Sequence, residues 1–235
     1  MPGRRRRRPE EEVGRRRLRT GALLGLSGAL LSIGVPAALV IVAELLPSVG
    51  APPLATIWSI AVPLGVVGAI LLAVSLFLYR RAFAALGTVD PRLRAASALC
   101  LAGTLGTLLL VVAAIALVGS IAPVGTCLGD QPSRLFHCLA TGPESSAFGV
   151  DAAIAGFVLA WIGGLGIALG LGWEGGRTST PVLTAAGFLY GLLLLVLVGP
   201  LAAFVHPFSG AAYLFVSVPI LAVGAPALVV AGSDR

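Results

Sequence analysis

Six long apolar runs constrain the fold of this chain more than any other feature. They cover Gly21–Leu45, Leu54–Leu78, Ala96–Val118, Phe148–Leu171, Val182–Phe204 and Ala211–Ala231. Each run reaches the roughly 20 residues that an α-helix needs to cross the hydrocarbon core of a bilayer. Only 11% of the residues are charged, whereas a soluble domain carries roughly 25%. The sequence therefore predicts an all-α polytopic membrane protein, built as a bundle of six transmembrane helices.

The arginines predict the orientation of these spans. All sixteen basic residues are Arg, and fifteen of them fall in residues 1–20, 79–95, 172–181 and 232–235. Six crossings would place these four segments on the same side of the membrane. Because cytoplasmic segments are enriched in basic residues, we expect both termini in the cytoplasm and the 119–147 loop outside the cell membrane. The topology and lipid anchors would be Arg4, Arg5, Arg6, Arg7, Arg8, Arg15, Arg16, Arg17, Arg19, Arg80 and Arg81.

Residues 1–20 form an Arg-rich tail that also contains Glu10, Glu11 and Glu12. A charge run of this kind is expected to be disordered. It would lie on the anionic inner leaflet, where each Arg contributes about 1 kcal/mol to binding. Nucleic-acid arms interleave their basic residues with aromatic ones, and this tail has none. The expected partner is thus the lipid bilayer, with no nucleic acid.

The 119–147 loop carries two of the three cysteines. Cys127 and Cys138 lie eleven residues apart on the oxidising side of the membrane, and we predict a disulfide between them. A metal site with His137 is the alternative interpretation. His137 and Cys138 are adjacent, however, whereas structural zinc sites space their ligands by roughly two to four residues. We therefore expect no metal, and we expect Cys100 in the third span to be a packing residue.

Ionisable residues inside a membrane mark functional sites by default, and no span has one at its middle. Glu44, Asp151 and His206 lie near the outer ends of spans one, four and five. They are either hydrated interfacial groups or, with His137, an outer acidic vestibule for a cation or a proton. Both histidines are on the outer face, and the sequence has neither an H-E-x-x-H nor a G-x-S-x-G motif. We expect neither a cofactor nor enzymatic activity.

Small residues recur at a spacing that favours close packing of helices. Glycines at positions i and i+4 share a helix face and let two backbones approach closely. The predicted packing glycines are Gly21, Gly25, Gly166, Gly170, Gly187 and Gly191. Such pairs do not distinguish packing within the chain from oligomerisation. The hydroxyl groups inside the spans are expected to bond to carbonyls of their own helix; they belong to Ser27, Ser32, Ser59, Ser75, Thr104 and Thr107.

A spacing shared by the odd spans hints at an internal repeat. Leu24-x3-Gly28, Leu99-x3-Gly103 and Leu183-x3-Gly187 are each followed by x-Leu. Three tandem hairpins would produce this pattern, although it arises easily in a chain rich in Leu and Gly.

One inner segment carries a family resemblance. The segment reads Tyr-Arg-Arg-Ala-Phe-Ala-Ala-Leu-Gly-Thr-Val-Asp-Pro-Arg-Leu-Arg over residues 79–94 and leads into Leu101-Ala-Gly103. It resembles the loop between spans two and three of an uncharacterised archaeal family of small multi-span membrane proteins. In that family an A-F-x-x-L motif precedes Asp, an Arg-flanked position and a Gly-containing span. This chain has Leu93 where the family often has an aromatic residue. The resemblance implies an architecture and no mechanism.

These features favour a structural or accessory membrane component over a catalyst. The expected partner is another membrane protein or further copies of the chain, which would use the small-residue faces and the outer loop as contacts. The alternative is a small transporter or channel with the outer acidic vestibule, because prolines would kink four of the spans. They are Pro36, Pro63, Pro200, Pro219 and Pro226.

Overall fold

The computed structural model describes residues 9–34, 54–124, 144–203 and 207–233. Within these ranges the chain is helical except for two short turns, and they contain no β-strand. The helices are α1 (Pro9–Ala29), which continues as a π-helical turn at Leu30–Gly34, then α2 (Leu54–Leu86), α3 (Pro91–Val124), α4 (Glu144–Thr178), α5 (Pro181–Ala203) and α6 (Pro207–Ser233). The all-helical prediction is confirmed for the described residues.

Both short turns follow from their residues. After α2 ends, the Asp90 carboxylate accepts a hydrogen bond from the Arg92 backbone N–H at 3.0 Å, which is how Asp caps a helix N-terminus. Pro91 then begins α3, where its missing N–H leaves no donor unsatisfied. In the second turn Ser179 has a φ of 53°, which ends α4, and Pro181 begins α5.

The six helices pack as a closed ring. Each helix contacts the next one along the chain, and α6 returns to contact α1. The start of α1, the α2–α3 turn, the α4–α5 turn and the end of α6 meet at one end of this ring. The Thr88 hydroxyl in the first turn donates to Glu10 of α1 at 3.0 Å, and Gly232 of α6 lies beside Leu183 of α5. We call this end, with the arginines around it, the charged end.

Among the described residues, three helical segments are long and apolar enough to cross a membrane. They are Pro63–Leu86, Pro91–Ala113 and Asp151–Thr178, and shorter apolar helical segments occupy Pro181–Leu195 and Ile220–Ser233. The large apolar side chains that α2 to α6 leave exposed along their length suit a lipid environment.

Side chains from all six helices fill the centre of the ring near the charged end. Tyr79 and Phe83 are the largest side chains buried there, and the Phe83 ring packs against Gly170 of α4. The cluster consists of Leu18, Ala22, Leu76, Tyr79, Ala82, Phe83, Leu86, Leu93, Ala96, Cys100, Ile167, Leu171, Leu183, Ala186, Tyr190, Ala225 and Val229. This core positions the polar groups described below.

The prediction that residues 1–20 are disordered is wrong for Pro9–Thr20, which form about the first three turns of α1. Three glutamates in the first turn complement the positive end of the helix dipole. Leu18 is buried in the core cluster, and Gly14 packs against Leu86 of α2. Tertiary contacts therefore stabilise a segment whose composition alone would leave it unfolded. Residues 1–8, with Arg4 to Arg8, lie outside the described residues.

Candidate functional site at the charged end

A network of four charged side chains joins α1 to α4. Glu174, near the end of α4, is 0% exposed. Arg177 donates from Nε and Nη2 to the two carboxylate oxygens of Glu174, each at 3.0 Å, and from Nη1 to Oε1 of Glu11 at 2.9 Å. Nη2 of Arg15 lies 3.7 Å from Oε1 of Glu174. We call Glu11, Arg15, Glu174 and Arg177 the ion-pair network.

Because Glu174 is buried, the stability of its charged form depends on the arginines that contact it. A carboxylate removed from water is stable only when it is paired and hydrogen-bonded. Loss of one partner from a buried pair typically costs about 3–5 kcal/mol, because it leaves an uncompensated charge. Arg177 is the central member, since it contacts both acids. The network can thus attach the polar start of α1 to the bundle, and opposite charges on α1 and α4 balance within it.

Threonine hydroxyls extend the contacts at the charged end. The Thr178 hydroxyl donates to the Glu174 carbonyl at 2.7 Å and lies 3.0 Å from the Thr180 hydroxyl. On the other side of α1, the Thr88 hydroxyl bonds to Glu10. The first two turns of α1 are therefore attached to the α2–α3 turn and to the last turns of α4.

Three aromatic rings lie inside the ring of helices. The centroids of Tyr79 and Phe83 are 6.0 Å apart in a stacked arrangement, and those of Tyr79 and Tyr190 are 6.4 Å apart, edge to face. Such pairs contribute about 0.5–1.5 kcal/mol beyond the area that they bury. The Tyr79 hydroxyl is buried and has no hydrogen-bond partner among the described residues. This buried hydroxyl lies within a largely apolar cluster.

Five of the six predicted packing glycines lie against a neighbouring helix. A Cβ added to Gly21 would lie 3.3 Å from Leu78 Cβ, and one added to Gly25 would lie 2.8 Å from Ser75 Oγ. The corresponding contacts are Ala96 O at 2.9 Å for Gly166, Phe83 Cζ at 2.5 Å for Gly170 and Ala168 O at 2.7 Å for Gly187. Gly191 differs, because nothing lies within 4 Å of its added Cβ.

The closest backbone approach involves two glycines outside the predicted pairs. A Cβ on Gly103 of α3 would lie 2.5 Å from the Cα of Gly163 on α4. Gly28 of α1 meets the carbonyl of Gly68 on α2 in the same way, at 2.8 Å. The Leu-x3-Gly spacing shared by the odd spans has its glycine at Gly28, Gly103 and Gly187. All three glycines lie where two helices cross.

Inter-helix hydrogen bonds add to these contacts. The Ser75 hydroxyl donates to the Gly21 carbonyl of α1 at 2.7 Å, which corrects the prediction that it bonds to its own helix. Close packing at Gly21 exposes that carbonyl to α2, so a neighbouring hydroxyl reaches it. The own-helix prediction is confirmed for Ser27, Ser32, Thr104 and Thr107, and the Ser59 side chain lies outside the described residues.

The outer-face residues fall largely outside the described part of the chain. Asp151 is described and is exposed near the start of α4. Glu44, His137, His206, Cys127 and Cys138 lie outside the described residues, so the vestibule and the disulfide remain predictions. Cys100 is buried on α3.

Sequence reasoning missed the ion-pair network. It did not single out Glu174, and it treated Glu11 and Arg15 as parts of a disordered tail. The signals were present: Glu174 and Arg177 are three residues apart, and Glu11 and Arg15 are four apart. Both spacings place opposite charges on one helix face.

The described residues thus form an all-helical bundle with a charged end, and three of its helical segments are long and apolar enough to cross a membrane. Compared with protein-family models, with curated proteins and with solved structures, the chain gives no match. The resemblance of residues 79–103 to the archaeal membrane family stays an expectation from sequence.

Proposed function

We propose that this chain is a six-span protein of the cell membrane that acts as a structural or accessory subunit of a larger membrane assembly. Its partner would be another membrane protein or further copies of itself, and both termini would be cytoplasmic. The observation that carries the proposal is the filled centre of the helix ring near the charged end, to which all six helices contribute.

A filled centre suits a scaffold better than a conduit. Phe83 lies in the middle of the ring against the backbone of Gly170, where an open path for a solute would have to pass. The contact between Gly103 and Gly163 joins backbone to backbone, so no side-chain rotamer change can loosen it. Carriers instead rock one group of helices against another, which such crossings resist.

The convergence of the charged segments supports the proposed orientation. The start of α1, the α2–α3 turn and the end of α4 meet at one end of the ring, and these segments carry most of the arginines. If the chain crossed the membrane an odd number of times between any two of these segments, the two would lie on opposite sides of the membrane. The bias of basic residues toward the cytoplasmic side then assigns this end to the cytoplasm.

A small transporter or channel is the second candidate. The observation that favours it is the π-helical turn at Leu30–Gly34 of α1, because π-turns within α-helices are frequent at functional sites. Under this proposal Glu44 and Asp151 would belong to an outer acidic vestibule for a cation or a proton.

Native pull-down in a mild detergent, combined with flux measurements in liposomes, separates the two candidates. For an accessory subunit we expect one stoichiometric partner, or a defined homo-oligomer, and no flux above empty liposomes. Asp151→Asn and Glu44→Gln provide the contrast. A protein that elutes alone and conducts a solute, with flux abolished by either variant, contradicts the accessory role and establishes the second candidate.

A further inference from the structure

Two neighbouring helices each present an exposed apolar stripe that begins at an arginine. On α3 the exposed residues recur at helical spacing after Arg94, so they lie on one face. Leu105, in the middle of this stripe, is 54% exposed. The stripe consists of Arg94, Ala98, Leu101, Leu105, Leu108 and Val112.

The matching stripe on α2 runs in the opposite chain direction from Arg81. Ile70, in the middle of this stripe, is 45% exposed. The stripe consists of the half-buried Phe77 and the exposed Arg81, Val74, Ile70, Val67 and Pro63. Because α2 and α3 are packed neighbours in the ring and both arginines lie near the turn that joins them, the two stripes begin at the same end.

The arginines that head the stripes are held in place. Arg94 donates from Nε to the Gly87 carbonyl at 3.0 Å, which leaves its two terminal nitrogens available. The Arg81 guanidinium lies 4.9 Å from the centroid of the Phe77 ring, a cation–π distance. Both guanidinium groups are therefore oriented before any ligand arrives.

Nearby acids are engaged elsewhere. The Asp90 carboxylate caps α3, and Glu10 accepts from Thr88. Within the described ranges, neither Arg81 nor Arg94 forms an ion pair. The positive charge of the two side chains is thus left for a partner that does not belong to the described chain.

We propose that the outward surface of the α2–α3 pair binds one anionic phospholipid. The phosphate would lie against Arg81 and Arg94, and the acyl chains would lie along the two stripes. One leaflet of hydrocarbon is about 15 Å thick, or about ten helical residues, and this length from Arg94 reaches Leu105. The inference rests on the proposed membrane placement and is independent of the accessory role.

A headgroup with net negative charge is required by this geometry. Two guanidinium groups without acidic partners favour phosphatidylglycerol over the neutral zwitterion phosphatidylcholine. Each Arg near the headgroups contributes a factor of about five in affinity. We therefore expect the chain to prefer phosphatidylglycerol by about 25-fold, and to lose most of that preference when both arginines are replaced.

Native mass spectrometry of the purified full chain tests this site. The protein in detergent is titrated with phosphatidylglycerol or phosphatidylcholine, and bound lipids are counted. Arg81→Gln and Arg94→Gln should each weaken binding of the first phosphatidylglycerol about fivefold, with little change for phosphatidylcholine. Arg92→Gln is the matched control, since it removes the same charge from an exposed position beside the stripe, and it should bind as the parent does.

Three results would overturn the proposal. Equal binding of the two lipids in the parent protein removes the charge argument. An effect of Arg92→Gln as large as that of Arg81→Gln shows diffuse attraction rather than a site. Displacement of the bound lipid by glycerophosphoglycerol, the headgroup without acyl chains, shows a soluble-anion site that does not use the stripes. If the chain is not recovered in the membrane fraction, the proposed membrane placement is wrong. If it is recovered there but shows one of the three results above, only the lipid site is wrong.

Discussion

The crossing of α3 and α4 at Gly103 and Gly163 should tolerate no side chain. In Gly103→Ala the new Cβ would lie 2.5 Å from the Gly163 Cα, whereas ordinary contacts begin at 3.4 Å. The two backbones must therefore separate by about 0.9 Å, and no flexible side chain can absorb the shift.

The cost of this separation can be estimated. One pair of atoms at optimal separation gains about 0.15 kcal/mol of dispersion energy, and a gap of 0.5–1 Å forfeits a quarter to a half of it. For about 40 atom pairs around the crossing, the loss is about 1.5–3 kcal/mol, which agrees with the usual cost of overpacking. Ala also has a helix propensity about 1 kcal/mol better than Gly, and this gain offsets part of the loss.

Gly191→Ala is the matched control, because it makes the same change at a helical glycine with nothing within 4 Å of the added Cβ. Thermal or SDS-induced unfolding in detergent, followed by helical circular dichroism, compares the two variants. We expect Gly103→Ala to unfold at lower temperature or lower SDS fraction than the parent, and Gly191→Ala to match or exceed it. Equal unfolding of the two variants would refute the proposed α3–α4 contact.

Three further predictions concern the charged end, the aromatic core and the outer loop. Arg177→Gln should destabilise the protein by up to about 3–5 kcal/mol, because it removes both hydrogen bonds to the buried Glu174 carboxylate and leaves Arg15, 3.7 Å away, as an ion-pair partner. It should also speed tryptic cleavage in residues 15–19, whereas Arg92→Gln, with the same loss of charge, should do neither. Tyr79→Phe should raise the free energy of unfolding by about 1–2 kcal/mol, because it removes a buried hydroxyl that has no hydrogen-bond partner among the described residues. A decrease would mean that the hydroxyl is hydrogen-bonded. Membrane-impermeant maleimide should label Cys127 and Cys138 only after reduction, and labelling without a reductant would end the disulfide prediction.

Hydropathy located the helices well but not their ends. The second apolar run ends at Leu78, whereas α2 continues to Leu86. The third run starts at Ala96, whereas α3 starts at Pro91. Helix ends beyond the hydrocarbon are determined by caps and tertiary contacts, such as Asp90 on the Arg92 N–H, and an apolar window does not detect them.

Residue spacing predicts which face of a helix is used and not what lies opposite it. The i and i+4 glycines included Gly191, whose added Cβ meets nothing, and omitted Gly103 and Gly163, which form the closest crossing. Glu174 was overlooked for a related reason. Its ion pair with Arg15 joins residues that are distant in sequence. A local sequence pattern cannot predict that the start of α1 packs beside the end of α4.

The contact between α1 and α6 has a consequence for biosynthesis. α1 packs against α6, which is synthesised after the other described helices, so this side of α1 lacks that neighbour until α6 has been made. Lipid or a membrane chaperone must cover that side in the meantime. A chain truncated before α6 would leave the α6-facing side of α1 uncovered. Quality-control proteases could recognise this surface even when the other helices have already packed.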